Sequence, residues 1–397
     1  MKKKQANKSV LVLEVHAKAS IPILESCAAM GLHVIGGSWK KYCCGFFSRA
    51  TDERFLYPCP ETEPEHCIAA IYDFLKARRV DVLFPVGDVM TDLIARHQDT
   101  LKQHTGLVLP PYTTFVQGRS KILALQAALR AGCPIPTTWY PHEQPLSEIV
   151  NELSFPVLIK PDIAAGARGI TFCNCADEVL TLFPRIEARF GRCFLQEFIP
   201  HSGRQYKVDA IIDKHQRLLS AVVYAKLRYY PPSGGSSVLN RTEHRPDILE
   251  LACKVLRELG WIGFCDFDFI TDSRDHTVKL MEINPRYPES FRATVAAGVD
   301  MPKIMFQLAQ GEQPVPQLSY REGQYLRFLL GDIMWFLTTK ENRWTTEPSF
   351  FNFFRSDTWY QLERSRDWGI LIGYLLENMC ILWDKQARHF RLRRDYA

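Results

Sequence analysis

The sequence predicts a mixed protein with an α/β part, an α+β part and a helical tail. Three observations carry that prediction. Strand-like and helix-like segments alternate over the first 110 or so residues, two runs near residues 263–286 alternate apolar with polar, and aromatic helical patterns dominate beyond Gly311. At 397 residues, the chain is long enough for two or three domains. Its 46% apolar and 23% charged residues describe an ordinary soluble globular protein. The net charge of +5 is spread along the chain and gives no argument for nucleic acid. The basic ends, at Lys2, Lys3 and Lys4 and at residues 391–394, are short and read as solvated tails.

Residues 10–15 read as a first strand, 21–30 as a helix, and 31–36 as a second strand opened by glycine. A helix at 65–78 leads to a third strand at 80–85, then helical 88–100 and strand-like 107–109. This is a small doubly wound parallel domain, over residues 1–112. Its first strand is followed by Glu14, His16 and Lys18 rather than by a Gly-x-Gly-x-x-Gly turn, so dinucleotide binding is not indicated. Pro110 and Pro111 mark a boundary. A helix at 120–131 follows, and then a small α+β lobe over about 134–198. That lobe has strands at 156–161, 170–173 and 193–198 and a helix at 176–189. A hairpin at 206–212 and 218–226, a loop at 231–237 and a helix at 248–259 complete the approach to the alternating runs.

In the first alternating run Cys265, Phe267 and Phe269 point one way, and Asp266 and Asp268 the other. In the second, Met281 and Ile283 point inward, while Glu282 and Asn284 share the opposite face. The polar stretch 271–277 joins them as an antiparallel hairpin. Pairing gathers carboxylates and a side-chain carbonyl on one wall, a donor set that suits Mg²⁺ or Mn²⁺. Arg286, just past Pro285, supplies a fixed charge for phosphate. A solvated strand face balanced by Lys279 and Arg286 is the bland alternative. An asparagine gains nothing on such a face, which favours the metal–nucleotide reading.

Lys160 ends an apolar strand directly before the small-residue loop 162–169, where backbone N–H groups can approach phosphate. A tight turn with a snorkelling lysine is the alternative. Lys121 begins a helix, and Gln196-Glu197 ends a strand at what reads as a hinge. Taken in order these pieces resemble the ATP-grasp superfamily over about residues 11–311. The nearest subgroup is the predicted ATP-dependent carboxylate–amine ligases, with Lys226, Arg228 and the glycine–serine loop after them similar to that subgroup's arginine-and-glycine loop.

The resemblance implies that Lys121 and Lys160 hold the phosphates of ATP, with Gly166 and Gly169 in a lid closing over them. Glu197 and the backbone of Phe198 and Ile199 meet the adenine, and Gln205 stands where many members place a glutamate for the ribose. Asp268, Glu282 and Asn284 coordinate Mg²⁺, with Asp266 competing for the role of Asp268. Arg286, Lys226 and Arg228 act on the transferring phosphoryl group and the carboxylate. The lid has fewer glycines than richer versions of the family.

The implied activity is ATP-dependent ligation of a small carboxylate to an amine, with release of ADP and phosphate. A thiol acceptor and a non-catalytic ATP-binding scaffold are the competing readings. The ATP-grasp domain is expected over 113–312 and a helical aromatic-rich extension over 313–397, packed back onto the body. Twelve scattered cysteines without Cys-x-x-Cys, after no recognisable signal peptide, point to free thiols in a reducing cytoplasm and not to zinc. Residues 369–383 are apolar but short and interrupted by Glu377 and Asn378. They read as a buried helix, with membrane contact through the basic residues that follow as the alternative. A homodimer is compatible with the sequence.

Overall fold

A computed structural model describes residues 8–164, 168–200, 202–232, 235–363 and 367–383. The first part is built from β1 (Ser9–Val12), α1 (Ser20–Ala29), β2 (His33–Ser38), β3 (Glu53–Leu56), α2 (Pro64–Ala77), β4 (Val82–Phe84), α3 (Asp88–Arg96) and α4 (Gln98–Leu101). Its four strands are parallel in the order β3-β2-β1-β4. The edge strand β3 was not expected, because its Glu53-Arg54-Phe55-Leu56 carries no buried stripe. The strand expected at 107–109 does not form; Gly106 alone bridges to Val82 before Pro110 and Pro111 remove two N–H donors.

The helix expected at 120–131 is present as α6 (Lys121–Arg130), and a further helix that was not expected, α5 (Tyr112–Arg119), stands end to end before it. Ser120 separates them. Its hydroxyl accepts from the Leu123 N–H at 3.2 Å and caps α6. A small antiparallel lobe follows, built from β5 (Thr138–Trp139), α7 (Leu146–Ile149), β6 (Val157–Pro161), β7 (Thr171–Cys173), α8 (Ala176–Phe190) and β8 (Cys193–Glu197). Its strand order is β5-β8-β6-β7. Asp162, just beyond β6, accepts from the Ser120 hydroxyl at 2.7 Å and the Ile122 N–H at 2.9 Å. These bonds fix the lobe against the start of α6.

The largest sheet holds β9 (Gln205–Ile212), β10 (Leu218–Tyr230), β11 (Ser236–Thr242), then, after α9 (Pro246–Leu259), β12 (Gly263–Thr271) and β13 (Val278–Asn284). Beyond α10 (Arg292–Ala296) and α11 (Met301–Ala309) come β14 (Tyr325–Arg327), α12 (Leu329–Thr338), β15 (Thr358–Tyr360) and α13 (Trp368–Trp383). The strand order is β13-β12-β9-β10-β11-β14-β15. The C-terminal extension is therefore not purely helical, since it adds two strands to the central sheet. One face of that sheet buries Val208, Val223, Phe267 and Phe269 with residues of α6 and α9. On the other face Ile211, Val222 and Phe264 pack with Val10 and Val12 of β1, and Leu326, Leu362 and Ile370 of the extension join the same core.

The expected packing of the extension against the body is present. Helix α13 lies against residues 43–47, where a Cβ on Gly369 or Gly373 would collide with the carbonyl oxygens of Phe47 and Cys43. Glu377 is buried and pairs with Lys40 at 2.6 Å. The helix is half buried rather than buried all round, because Trp368, Ile372, Leu375 and Met379 are exposed. No described helix is long and apolar enough to cross a membrane. All twelve cysteines are free thiols.

Candidate active site

The polar wall expected on the hairpin is present, and its register is set by pairing. Asp266 lies opposite Asn284 and Asp268 opposite Glu282 across β12 and β13, while β9 brings Asp209 beside Asp266 and Lys207 beside Asp268. A bulge follows Asp268, so Phe269 pairs with Leu280 and Met281 is the extra residue. Leu280, not the expected Met281, therefore joins Ile283 in the core.

Lys207, which sequence reasoning passed over, stands at the centre of the wall. Its ammonium donates to Asp266 at 2.7 Å and to Asp268 at 2.9 Å. Burial would lower its pKa, but the two carboxylates outweigh that and hold it raised. Lys226 from β10 reaches the other oxygen of Asp268. Burial pushes the Asp268 carboxyl up, yet Lys207 and Lys226 together keep it well below the usual carboxylate range. Asn284 donates to Asp268 at 3.1 Å, which ties these two of the expected metal residues together. Asp266 is wholly buried beside Asp209, and burial raises both carboxyls. The Tyr224 hydroxyl joins Asp209 at 3.4 Å and Ser290 at 2.9 Å. The signal for Lys207 was available in Gln205, Lys207 and Asp209, which alternate with apolar neighbours on β9.

Two lysines from other elements converge on this wall. Lys121, at the first position of α6, donates to the Ala164 carbonyl at 2.8 Å and lies 3.8 Å from Glu282. Lys160, near the end of β6, is buried and donates to Gln196 at 2.6 Å. Burial lowers its pKa to about 8, with the Glu282 charge opposing and the Lys121 charge adding to the shift. Arg286 is held by three groups: Asp88 at 3.2 Å, the Asn284 carbonyl at 3.2 Å and Asp266 at 3.7 Å. Asp88 opens α3, so the N-terminal part closes one side of the wall. Glu14 beside it accepts from the Gly87 N–H at 2.7 Å, and burial lifts its carboxyl to about 7.

Three expected roles meet a different geometry. Arg228 was expected beside Lys226, but a bulge between the two shifts the register of β10. It is buried against Asp332 at 3.0 Å and over the Trp335 ring, away from the wall. The Glu197 carboxylate is already engaged. It accepts from the Thr137 N–H at 2.9 Å, from Lys279 at 2.9 Å and from Arg274 at 3.0 Å. Burial alone would raise its pKa, but these donors hold it low, so Glu197 braces the lobe against the hairpin. The Phe198 N–H is bonded to the Pro156 carbonyl at 3.3 Å; Ile199 behind it is buried. Gln205 begins β9, paired with Lys226 and Ile270 at the edge of the wall. Gly169 takes a φ of +73° at the turn into β7. Gly166, with its neighbours in the lid loop, and Ser233 of the second loop lie outside the described residues.

The donor set fits a hard divalent cation. Asp268, Glu282 and Asn284 present oxygens on one face, and Asp266 keeps a buried oxygen without a hydrogen-bond partner among the described residues. No group of three His, Cys, Asp or Glu among the described residues is arranged as a cage for a metal, and Lys207 and Lys226 neutralise Asp268 on the wall.

Residues 121–316 match the family model of the carbamoyl-phosphate synthase L chain ATP-binding domain. The chain has the ATP-grasp fold. It is 24% identical over 260 residues to the D-aspartate ligase of Enterococcus faecium, a match that takes in 61% of this chain and 62% of that protein. It therefore spans less than two thirds of that relative's length. Biotin carboxylase from Campylobacter jejuni, solved as a complex with an ATP analogue, superposes with a TM-score of 0.67 at 17% identity. That alignment covers 80% of this chain and 74% of the carboxylase. An L-amino acid ligase from Bacillus licheniformis gives a TM-score of 0.60 at 14% identity, over 77% and 75% of the two chains. At such identities these likenesses establish the fold. The ATP-grasp match ends before β14, so the two added strands and α12, α13 lie beyond it.

Proposed function

We propose that this ATP-grasp protein is a ligase that activates a carboxylate as an acyl phosphate for attack by an amine. The observation that carries the reading is the convergence of Lys121 and Lys160, from two different elements, on Glu282 of the acidic wall. A carboxylate is a poor electrophile and needs a leaving group. Attack of its oxygen on the γ-phosphorus of ATP breaks the bond to ADP and forms the acyl phosphate. The amine nitrogen then attacks the acyl carbon, phosphate leaves, and the amine's proton passes to water.

Lys121 and Lys160 face the phosphates, and Arg286 meets charge on the phosphoryl oxygens. Asp268, Glu282 and Asn284 would hold Mg²⁺, which when bound supplies Lewis-acid stabilisation of phosphate charge. Lys226, tethered to Asp268 in this form, is placed to receive the substrate carboxylate once the cation takes its partner. The names of the similar ligases support amino-acid-like substrates, as the carboxylate or the amine.

One observation favours a second reading. Lys207 and Lys226 already neutralise Asp268, as they would in an ATP-binding protein that turns nothing over. Release of ADP from ATP and Mg²⁺, screened over pooled amino acids and small carboxylates, separates the two. Substrate-dependent ADP release that disappears in Glu282→Ala supports the ligase. ATP binding by calorimetry with no release under any pool overturns it in favour of the non-catalytic form.

A further inference from the structure

The N-terminal sheet runs in the order β3-β2-β1-β4, so the strand order reverses between β1 and β4. In an open parallel sheet, the crevice beyond the carboxyl ends of two such strands is where ligands bind. Glu14 stands there, two residues past β1, and faces Gly87 at the start of α3, past β4. Its φ of +55° is uncommon for a residue with a side chain. The carboxyl lies directly over Gly87, where a Cβ would collide with it. Oε2 accepts from the Gly87 N–H at 2.7 Å, while Oε1 has no hydrogen-bond partner among the described residues. The residue is only 8% exposed.

A carboxylate so deeply buried ordinarily has a cation beside it. The cations of the crevice walls are held by other acids instead. Lys40 pairs with Glu377 at 2.6 Å, Lys18 with Glu289 at 2.7 Å, and Arg286 with Asp88 at 3.2 Å. Two further acids, Asp88 and Glu61, face Glu14, and the Tyr57 hydroxyl accepts from its backbone N–H at 2.9 Å. Burial raises the carboxyl to about 7; the Gly87 N–H opposes the rise, the charges of Asp88 and Glu61 add to it, and Lys40 opposes it.

The open oxygen calls for a donor that brings its own positive charge. One carboxylate is too few ligands for a divalent cation, and no group of three His, Cys, Asp or Glu among the described residues could hold one. A guanidinium pairs best with both oxygens of a carboxylate, and Oε2 is taken. A primary ammonium, a compact charge that needs one acceptor, fits. Asp88, next to Gly87, carries the crevice on to Arg286 of the acidic wall.

We infer that Glu14 receives, on Oε1, the ammonium group of an amino-acid substrate in the crevice between β1 and β4. The inference deepens the ligase reading and rests on it for the class of ligand. It gives the N-terminal part, which lies before the residues matched to the ATP-binding domain, a role in choosing the substrate.

The test reads binding rather than turnover. The full chain, loaded with Mg²⁺ and a non-hydrolysable ATP analogue, is titrated by calorimetry with amino acids of either hand and with the matching 2-hydroxy acids. At least one amino acid should bind at least about tenfold more tightly than its hydroxy acid. Glu14→Gln keeps an oxygen for the Gly87 N–H and removes only the charge. It should lower amino-acid affinity by about tenfold or more and leave the melting temperature and the affinity for the ATP analogue unchanged. In the wild type, amino-acid affinity should rise about tenfold from pH 6 to 8 as Glu14 ionises while the ligand's ammonium stays charged, and Glu14→Gln should abolish the rise. Absence of amino-acid binding, equal affinity in Glu14→Gln, or a hydroxy acid that binds as tightly overturns the inference. An amino acid that binds through Glu14 while no pool releases ADP supports the inference and sinks the ligase reading alone.

Discussion

Glu282 is the residue on which the lysines converge, and it is only half buried, so its removal tests chemistry apart from folding. Glu282→Ala should lower ADP release by at least about a hundredfold while the thermal transition barely moves. Equal turnover in the variant would remove the metal assignment. Lys207 is the opposite case. Buried between Asp266 and Asp268, it stands where a cation would, and Lys207→Met takes from both carboxylates a buried ammonium that they share. A loss of about 3–5 kcal/mol is expected without metal. Mg²⁺ should then raise the melting temperature of the variant more than that of the wild type; equal shifts would show that the metal does not reach this wall. Lys160 titrates near pH 8 because it is buried, below its ordinary value of 10.5. Its folded pKa is depressed, so between pH 8 and 10.5 the unfolded chain holds more protons, and stability gains as pH rises through that window. The charge that meets ATP is lost over the same range. Calorimetry should show ATP affinity falling by up to about fivefold from pH 8 to 9, and Lys160→Arg should flatten the fall. A wild-type affinity constant across that range would place Lys160 away from the phosphates.

Among elements, two bulges mark where the sequence stopped being readable. The period-2 pattern on β12 and β13 was enough to place Asp266, Asp268, Glu282 and Asn284 on one wall, because alternation there is regular. It failed at Met281, and the role that the resemblance implied for Arg228 met a second bulge, since one extra residue in a ladder reverses every side chain beyond it and leaves no mark in composition. Short edge strands were missed for a related reason: β3 and β15 carry too few residues to show a period. The strands and helices that shape the nucleotide cleft were legible because their apolar stripes are long. Partners of single polar groups were not, as with Glu197, whose donors come from Thr137, Arg274 and Lys279, far apart in sequence. The displaced Arg228 gives a prediction at this scale. It joins β10 to α12 through Asp332, which Arg327 also holds. Arg228→Met should destabilise the fold by about 3–5 kcal/mol, seen as a lower melting temperature, because a buried ion pair loses one member. Activity per folded molecule should persist, and a selective collapse of ADP release at full stability would return Arg228 to the catalytic set.

The whole molecule is closed by its C-terminal extension. β14 pairs with β11 through residues 325–327, and β15 pairs with β14, so the central sheet has no free edge at β11 while the extension is present. Leu326, Leu362 and Ile370 enter the same core as β1, α1 and α11, which makes the extension a shared wall of the N-terminal part and the ATP-grasp body. Deleting residues 314–397 would expose that core, strand β11 as an unpaired edge and the cleft that holds Arg228. Replacing a lost buried aromatic such as Trp335 with water costs several kcal/mol, about the size of a domain's whole stability. The truncated chain should therefore aggregate on expression or show no cooperative thermal transition. A soluble 1–313 fragment that binds ATP and melts cooperatively would show instead that the family-matched region folds alone and that the extension is a separable module.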